Sequence, residues 1–157
     1  MCNTWQFPSD EAEEITPKDL ERLPRLDFVN ITGGEPFLRD DIADVLDVVQ
    51  PKTRRIVIST NGFLTDRIVS VMSGRERKVG VRISLDGLDG THERVRRVPG
   101  AFERAMRTLR SLRDMGRPDL GFGITVSDHN AHDLLPMFRM AESMCMEFAI
   151  AVTHNGY

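Results

Sequence analysis

Five short apolar runs, each closed by a cluster of polar or glycine residues and separated by segments of helical periodicity, constrain this chain more than any other feature. Phe28-Val29-Asn30-Ile31 reads as a buried strand stopped by Gly33-Gly34. Asp40 or Asp41 is placed to cap a helix in which Ile42, Val45, Leu46 and Val49 recur at i, i+3, i+4 and i+7, and Pro51 closes it. Ile56-Val57-Ile58 is the next strand, ending at Asn61-Gly62, and Thr65 then caps a helix with Ile68, Val71 and Met72 on one face. Val79 to Leu85 is a third strand, ending at Asp86-Gly87, and a polar connection follows from Asp89 to Pro99. Ala101 to Met115 carries the clearest amphipathic stripe (Phe102, Ala105, Met106, Leu109, Leu112), with Gly116 as its C-cap. Leu120 to Val126 is a fourth strand, Asp133 to Met144 a helix with Pro136 in its first turn, and Phe148 to Thr153 a fifth strand. Ahead of them Thr16-Pro17-Lys18-Asp19 opens a short helix with an N-cap and a proline at its first position.

Strands alternating with helices predict an α/β fold with a parallel sheet and right-handed crossovers. The strands read as β-branched runs without polar alternation, which fits burial on both faces. Periodicity does not separate a doubly wound sheet from a β/α barrel. Either way functional groups gather at the carboxyl ends of the strands, so Thr32-Gly33-Gly34-Glu35, Ser59-Thr60-Asn61-Gly62, Ser84-Leu85-Asp86-Gly87 and Ser127-Asp128 are expected on one rim.

The 157 residues suffice for one domain with a core and are too few for two ordinary ones. A net charge of -3 argues against nucleic acid or an anionic membrane as partner. No apolar run approaches membrane-spanning length, the first residues lack the basic and apolar regions of a secretory signal, and two cysteines at opposite ends make no disulfide framework. The cytoplasm is the expected compartment.

Thr32-Gly33-Gly34-Glu35-Pro36 is the most specific motif. Paired glycines open backbone conformations closed to other residues and let a ligand approach the main chain, where carbonyls and the Glu35 carboxylate can receive an ammonium group. The alternative is a glycine-rich turn with a solvated glutamate. Ser84 and Asp86, two apart, share one side of an extended chain, a pairing suited to a ribose diol or an amino-acid carboxylate and hydroxyl; Asp-Gly is also ordinary turn chemistry, and Thr60 in Ser59-Thr60-Asn61-Gly62 carries the same ambiguity. Of Arg94, Arg96 and Arg97, at least two read as solvated, while one can fork onto a carboxylate. Arg104, Arg107, Arg110 and Arg113 form a solvated helix face. His92, His129, His132 and His154 have no metal-type spacing. Met137, Met140 and Met144 read as core, Cys145 as a buried inert thiol, and Cys2 as a loop residue that no core stripe demands.

Taken in order, GGEP after one strand, STNG after the next, SLDG after the third and H-x-x-x-R (His92 to Arg96) form a series that resembles the radical S-adenosylmethionine (SAM) superfamily, in its GGEP-type branch, from Cys2 to about Thr153. The resemblance implies a partial TIM barrel of the (β/α)6 type, with residues 1–157 holding strands two to six and lacking the first. It implies a [4Fe–4S] cluster on three cysteines, with SAM on the open iron, cleaved reductively to a 5′-deoxyadenosyl radical that abstracts hydrogen from a substrate. Cys2 resembles the third cluster cysteine. Gly33, Gly34, Glu35 and Pro36 match the motif that binds the SAM amino group, Thr60 and Ser84 match strand-end SAM contacts, Asp86 lies near the ribose, and Arg96 matches the arginine that pairs with the SAM carboxylate.

The departure is that the other two cluster cysteines are absent, so this chain is expected to be an inactive fragment of a longer enzyme. Implied partners are a small-molecule or peptide substrate and an electron donor such as flavodoxin or ferredoxin. Without the family's first strand, the edge of its second is expected to pair with another chain. Two other readings compete: a degenerate, cluster-free barrel serving as a binding module, and a TIM-barrel lyase or aldolase fragment. The latter needs a strand-end lysine or a phosphate-binding glycine loop late in the chain, and Lys18, Lys52 and Lys78 lie on none of the expected strand ends.

Overall fold

A computed structural model describes residues 14–152 of the chain. β1 (Leu26–Ile31), β2 (Thr53–Thr60), β3 (Val79–Ser84), β4 (Leu120–Val126) and β5 (Glu147–Val152) lie side by side in chain order, every neighbouring pair parallel. Between and before them run α1 (Pro17–Leu20), α2 (Ile42–Val49), α3 (Thr65–Met72), α4 (Asp89–Arg96), α5 (Ala101–Asp114) and α6 (Leu134–Met144). Doubly wound sheets reverse their strand order at a switch point. Here it never reverses, so right-handed crossovers place the helices on one side and the sheet is the wall of a half-barrel.

The two faces of that wall differ in chemistry. Ile56, Ile58, Val79, Val81, Ile83, Leu120, Phe122 and Ile124 point to the helices and form one core with Leu46, Ile68, Met72, Leu109, Leu112 and Met137. The alternate residues face the concave side: Asn30, Arg55, Ser59, Arg82, Ser84, Gly121, Gly123, Glu147 and Ala149. Two-sided burial, the expectation from the runs of β-branched residues, therefore holds along most of β2 and β3 but not at β1 or β5, which pair on one side only among the described residues. Phe28 of β1 is half exposed on the concave side, with the Arg55 guanidinium 6.0 Å from its ring centre.

Most helix boundaries follow the sequence. Thr16 and Asp19 form the capping box of α1. Pro136 falls in the first turn of α6. Past α5, Gly116 takes φ +74, with Gly116 N–H bonding to Arg113 O and Arg117 N–H to Leu112 O, a Schellman ending. Three details differ. The polar stretch after Asp86 is not an open connection, because Asp89–Arg96 is helical and stops where Arg97 adopts φ +58. Leu64, not Thr65, holds the N-cap of α3, since the Thr65 hydroxyl turns inward to Thr108 at 2.6 Å. Asp41 sits at the N-cap of α2 without capping it, because its carboxylate is drawn to Arg39 at 2.8 Å.

At the amino-terminal end of the concave face the interior is ionic. Arg55 donates to Asp119 (2.8 and 3.1 Å) and Glu147 (2.6 Å), and Arg82 to Asp119 (2.6 Å) and Glu147. Gly80 and Gly121 are glycine because of this cluster: a Cβ on Gly80 would lie 2.5 Å from Asp119 Cγ, and one on Gly121 2.4 Å from Glu147 O and 2.9 Å from Arg82 Cδ. Burial opposes ionisation of Asp119, yet its hydrogen bonds from Arg55 and Arg82 outweigh that and lower its pKa; the Arg82 hydrogen bond leads the same lowering at Glu147.

Asp119→Asn is expected to cost about 2 kcal/mol, read as a lower urea midpoint, since it removes charge-assisted bonds and leaves guanidinium charge unpaired. The carboxylates' contribution is present above about pH 4 and lost as pH falls through their lower folded-state values. Below pH 4 the stability of the native chain should therefore fall more steeply than that of Asp119→Asn.

Candidate functional site

The carboxyl ends of β1, β2 and β3 lie on one rim, opposite the ionic cluster. After β1 the chain turns through Gly33 at φ +138, a conformation side chains rarely adopt. A Cβ added to Gly33 or Gly34 would meet no atom within 4 Å, so this stretch of main chain is open on the rim. Pro36 and Phe37 then dive into the core and anchor the turn.

Glu35 spans the gap to the next strand. Its Oε1 accepts from Phe37 N–H (3.2 Å) and from the Thr60 hydroxyl (2.7 Å), and its Oε2 accepts from Asn61 N–H (2.8 Å). Thr60 in turn accepts from Gly62 N–H at 3.1 Å. Gly62 is at φ +76, with Ile83 Cγ2 3.0 Å from where a Cβ would sit, so only glycine fits this turn. Glu35 and Thr60, named separately from sequence, are thus one unit.

Ser84 ends β3 on the concave side beside Gly123, whose missing side chain leaves its flank open. Among the described residues the Ser84 hydroxyl has no hydrogen-bond partner; it is half-buried and available.

Asp86 is different. It is 1% exposed: Oδ1 accepts from Thr125 N–H (3.1 Å), and Oδ2 lies in an ion pair 2.6 Å from Arg96 Nε without hydrogen-bond alignment. Its main-chain N–H donates to His92 Nδ1 (2.9 Å), and its carbonyl accepts from Asn130 Nδ2 (3.0 Å). The expected ribose contact is therefore corrected: the carboxylate points into the protein and joins β3, α4 and β4. Arg96 is the inward-turned member of its arginine trio, for Arg94 bonds Thr91 within α4 and Arg97 sits in the left-handed turn.

His92, one helical turn before Arg96, is fully buried with Phe102 edge-on at 6.4 Å. Burial, with the positive charge of Arg96 second, lowers its pKa to about 4. Since Nδ1 accepts from Asp86, the proton of the neutral ring is on Nε2. Asn130, also buried, bridges the Asp86 and Thr125 carbonyls and accepts from Ser127 N–H. Sequence reasoning placed neither His92 nor Asn130 in the site. His92 had a signal, the i, i+4 spacing to Arg96, which puts both on one face once the segment is helical; Asn130 had none.

Cys2, the expected cluster ligand, lies outside the described residues. Cys145 is exposed, not buried, in a left-handed residue at the end of α6, just before β5 begins and so at the far end from the rim. Among the described residues no three His, Cys, Asp or Glu side chains could hold a metal ion.

Residues 3–141 match the Radical SAM superfamily. The chain belongs to that superfamily. Its relatives include an AdoMet-dependent heme synthase of Nitratidesulfovibrio vulgaris, 33% identical over 87% of this chain and 37% of that protein. They also include an Fe-coproporphyrin III synthase of Methanosarcina barkeri, 35% identical over 71% of this chain and 28% of its own length, and the mycofactocin maturase MftC of Mycolicibacterium smegmatis, 32% identical over 74% and 29%. The chain spans roughly a third of the length of these relatives. Among solved structures, Streptococcus suis SuiB bound to S-adenosylmethionine superposes with a TM-score of 0.66 at 17% identity, over 81% of this chain and 30% of SuiB, which shows the shared half-barrel fold. Radical SAM enzymes as a family use a [4Fe–4S] cluster and SAM.

The low pKa of His92 sets a pH dependence. The ring is harder to protonate folded than unfolded, so its contribution, on the order of 3 kcal/mol, is complete above about pH 6.5 and is lost as pH falls toward 4. In His92→Gln, which cannot titrate, the slope of unfolding free energy between pH 6.5 and 4 should flatten, measured by urea denaturation across that range.

Proposed function

We propose that residues 1–157 form one domain, the strand-two-to-six portion of a radical SAM core, and that SAM lies on the carboxyl-end rim. Gly33, Gly34, Glu35 and Pro36 receive the ammonium group, Thr60 and Ser84 line the strand ends, and Arg96 takes the carboxylate. One observation carries this reading: Glu35, Thr60 and Ser84 share a rim that keeps an open glycine turn and an unpartnered hydroxyl. Those are the groups an amino-acid ligand needs, and they fit SAM. A lyase of the aldolase type needs a strand-end lysine, and Lys18, Lys52 and Lys78 lie at no carboxyl end of a strand.

In the longer enzyme, a [4Fe–4S] cluster would supply the electron that cleaves bound SAM to a 5′-deoxyadenosyl radical for hydrogen abstraction. The protein's part is to orient SAM and to keep the site enclosed. The cluster itself does not fit this chain's own residues: it takes three thiolates, and the sequence holds Cys2 and the distant Cys145. We therefore assign the radical chemistry to the longer enzyme and expect none from these 157 residues alone. Iron–sulfide reconstitution followed by electron paramagnetic resonance checks this; a stable [4Fe–4S] signal with SAM cleavage would contradict it.

For the whole enzyme we propose a peptide or small-molecule substrate, a flavodoxin- or ferredoxin-type electron donor and a cytoplasmic setting. SuiB has been crystallised with its precursor peptide SuiA, which supports the peptide class, and no helix among the described residues is long and apolar enough to cross a membrane. The one-sided pairing of β1 among the described residues supports self-association through that edge.

S-adenosylhomocysteine, which lacks only the sulfonium methyl, is the probe for the rim. Calorimetry should detect its binding to this chain, and Ser84→Ala should weaken it about five-fold, the worth of one hydrogen bond, without shifting the melting temperature. Absence of binding to the native chain would overturn the proposal.

A further inference from the structure

We infer that Asp86 is a positioning residue, whose buried carboxylate holds the Arg96 guanidinium by an ion pair at Nε and leaves both Nη groups free for the carboxylate of the bound amino-acid ligand. The inference rests on the reading of the rim as a SAM site and changes the part Asp86 plays in it.

The geometry of the ion pair carries the argument. The Asp86 carboxylate lies 2.6 Å from Arg96 Nε, an ion pair without hydrogen-bond alignment, so it anchors the guanidinium by charge at its Nε end. Among the described residues neither Nη of Arg96 has a hydrogen-bond partner, and the side chain is 25% exposed, so those atoms are within reach of a ligand. A carboxylate 1% exposed, with one oxygen on Thr125 N–H and the other on Arg96, has no face left for a sugar hydroxyl. It acts through the arginine.

Asp86 is itself immobilised. His92 accepts from its N–H, Asn130 donates to its carbonyl, and Thr125 N–H fixes its carboxylate. His92 and Arg96 are four residues apart on α4, so the bond to His92 also sets the level at which Arg96 leaves the helix. Arg96 is the last residue of α4, directly before the left-handed Arg97. An arginine there, untethered, would spread over many rotamers, and ordering it on binding would cost side-chain entropy. The tether to Asp86 removes most of that cost before the ligand arrives, which is preorganisation in the strict sense. It also leaves the planar Nη edge, the one that matches two carboxylate oxygens at once, directed outward.

The test compares two ligands that differ in the amino-acid portion: S-adenosylhomocysteine carries the carboxylate, and 5′-methylthioadenosine lacks both carboxylate and ammonium. Calorimetry on the native chain should show a preference for the former. Asp86→Asn should weaken S-adenosylhomocysteine about tenfold and leave 5′-methylthioadenosine unchanged, which a general loss of structure would not do. Arg96→Lys keeps the charge but has no planar Nη edge for the ligand carboxylate while its inner end pairs with Asp86; it should lose the same preference, and Asp86→Asn combined with Arg96→Lys should lose no more than either alone. If the native chain binds neither ligand, the SAM-site reading fails and this inference with it. If the native chain binds as expected but Asp86→Asn weakens both ligands alike or neither, or Arg96→Lys retains the preference, the role of Asp86 is overturned while the site stands. Should Asp86→Asn fail to fold, the Arg96→Lys arm decides alone.

Discussion

At the carboxyl end of a parallel sheet the chain leaves each strand with main-chain donors that the ladder no longer pairs, and here two carboxylates take them up. Glu35, just past β1, accepts the N–H of Asn61 just past β2; Asp86, just past β3, accepts the N–H of Thr125 in β4. Each carboxylate crosses from its own strand end to the neighbouring one. Each also binds a side chain, the Thr60 hydroxyl in one case and the Arg96 guanidinium in the other. The shape of the rim follows from these two spans, because they fix where the glycine turn, Ser84 and α4 stand relative to one another. Buried donors and acceptors left unpaired cost about 1–3 kcal/mol each, so the spans are part of the fold before they are part of a site.

The two ends of the half-barrel use charge in opposite ways. At the amino-terminal end, Arg55, Arg82, Asp119 and Glu147 pair with one another, with glycines at 80 and 121 making room. At the carboxyl end pairing is incomplete: the Ser84 hydroxyl and the Nη groups of Arg96 are left without protein partners among the described residues. Paired charge serves stability, and exposed polar groups left open on a rigid frame serve binding. The same reasoning separates Glu35 and Thr60, which shape the site, from Ser84, which is open to touch a ligand.

The parallel β/α order was legible because strand length, helical stripes and Gly-rich strand ends agree with one another, and the GGEP, STNG and SLDG clusters lie on the strand ends where they were expected. What the sequence concealed has physical causes. α4 has mean polarity so high and so little apolar stripe that its helix is defined by tertiary anchoring, with His92 packed on Phe102, more than by periodicity. Asp86 reads as turn chemistry because Asp-Gly is common in turns; its burial depends on Thr125 and Asn130, distant in sequence. The cap of α3 moved because Thr65 found a buried partner in Thr108, an interaction no local pattern encodes. Cys145, next to Met144 and Met146, reads as buried, whereas the left-handed ending of α6 turns it out to solvent.

The account stands on the carboxyl-end rim as the place where an amino-acid-bearing nucleoside binds. Backbone amide shifts of the isotope-labelled chain, followed during titration with S-adenosylhomocysteine, test it most directly. The account predicts the largest changes at Gly33, Gly34, Asn61, Ser84 and Arg96, with Arg55, Arg82 and Glu147 unmoved. Saturable changes centred on the amino-terminal ionic cluster or the outer helical face would contradict it.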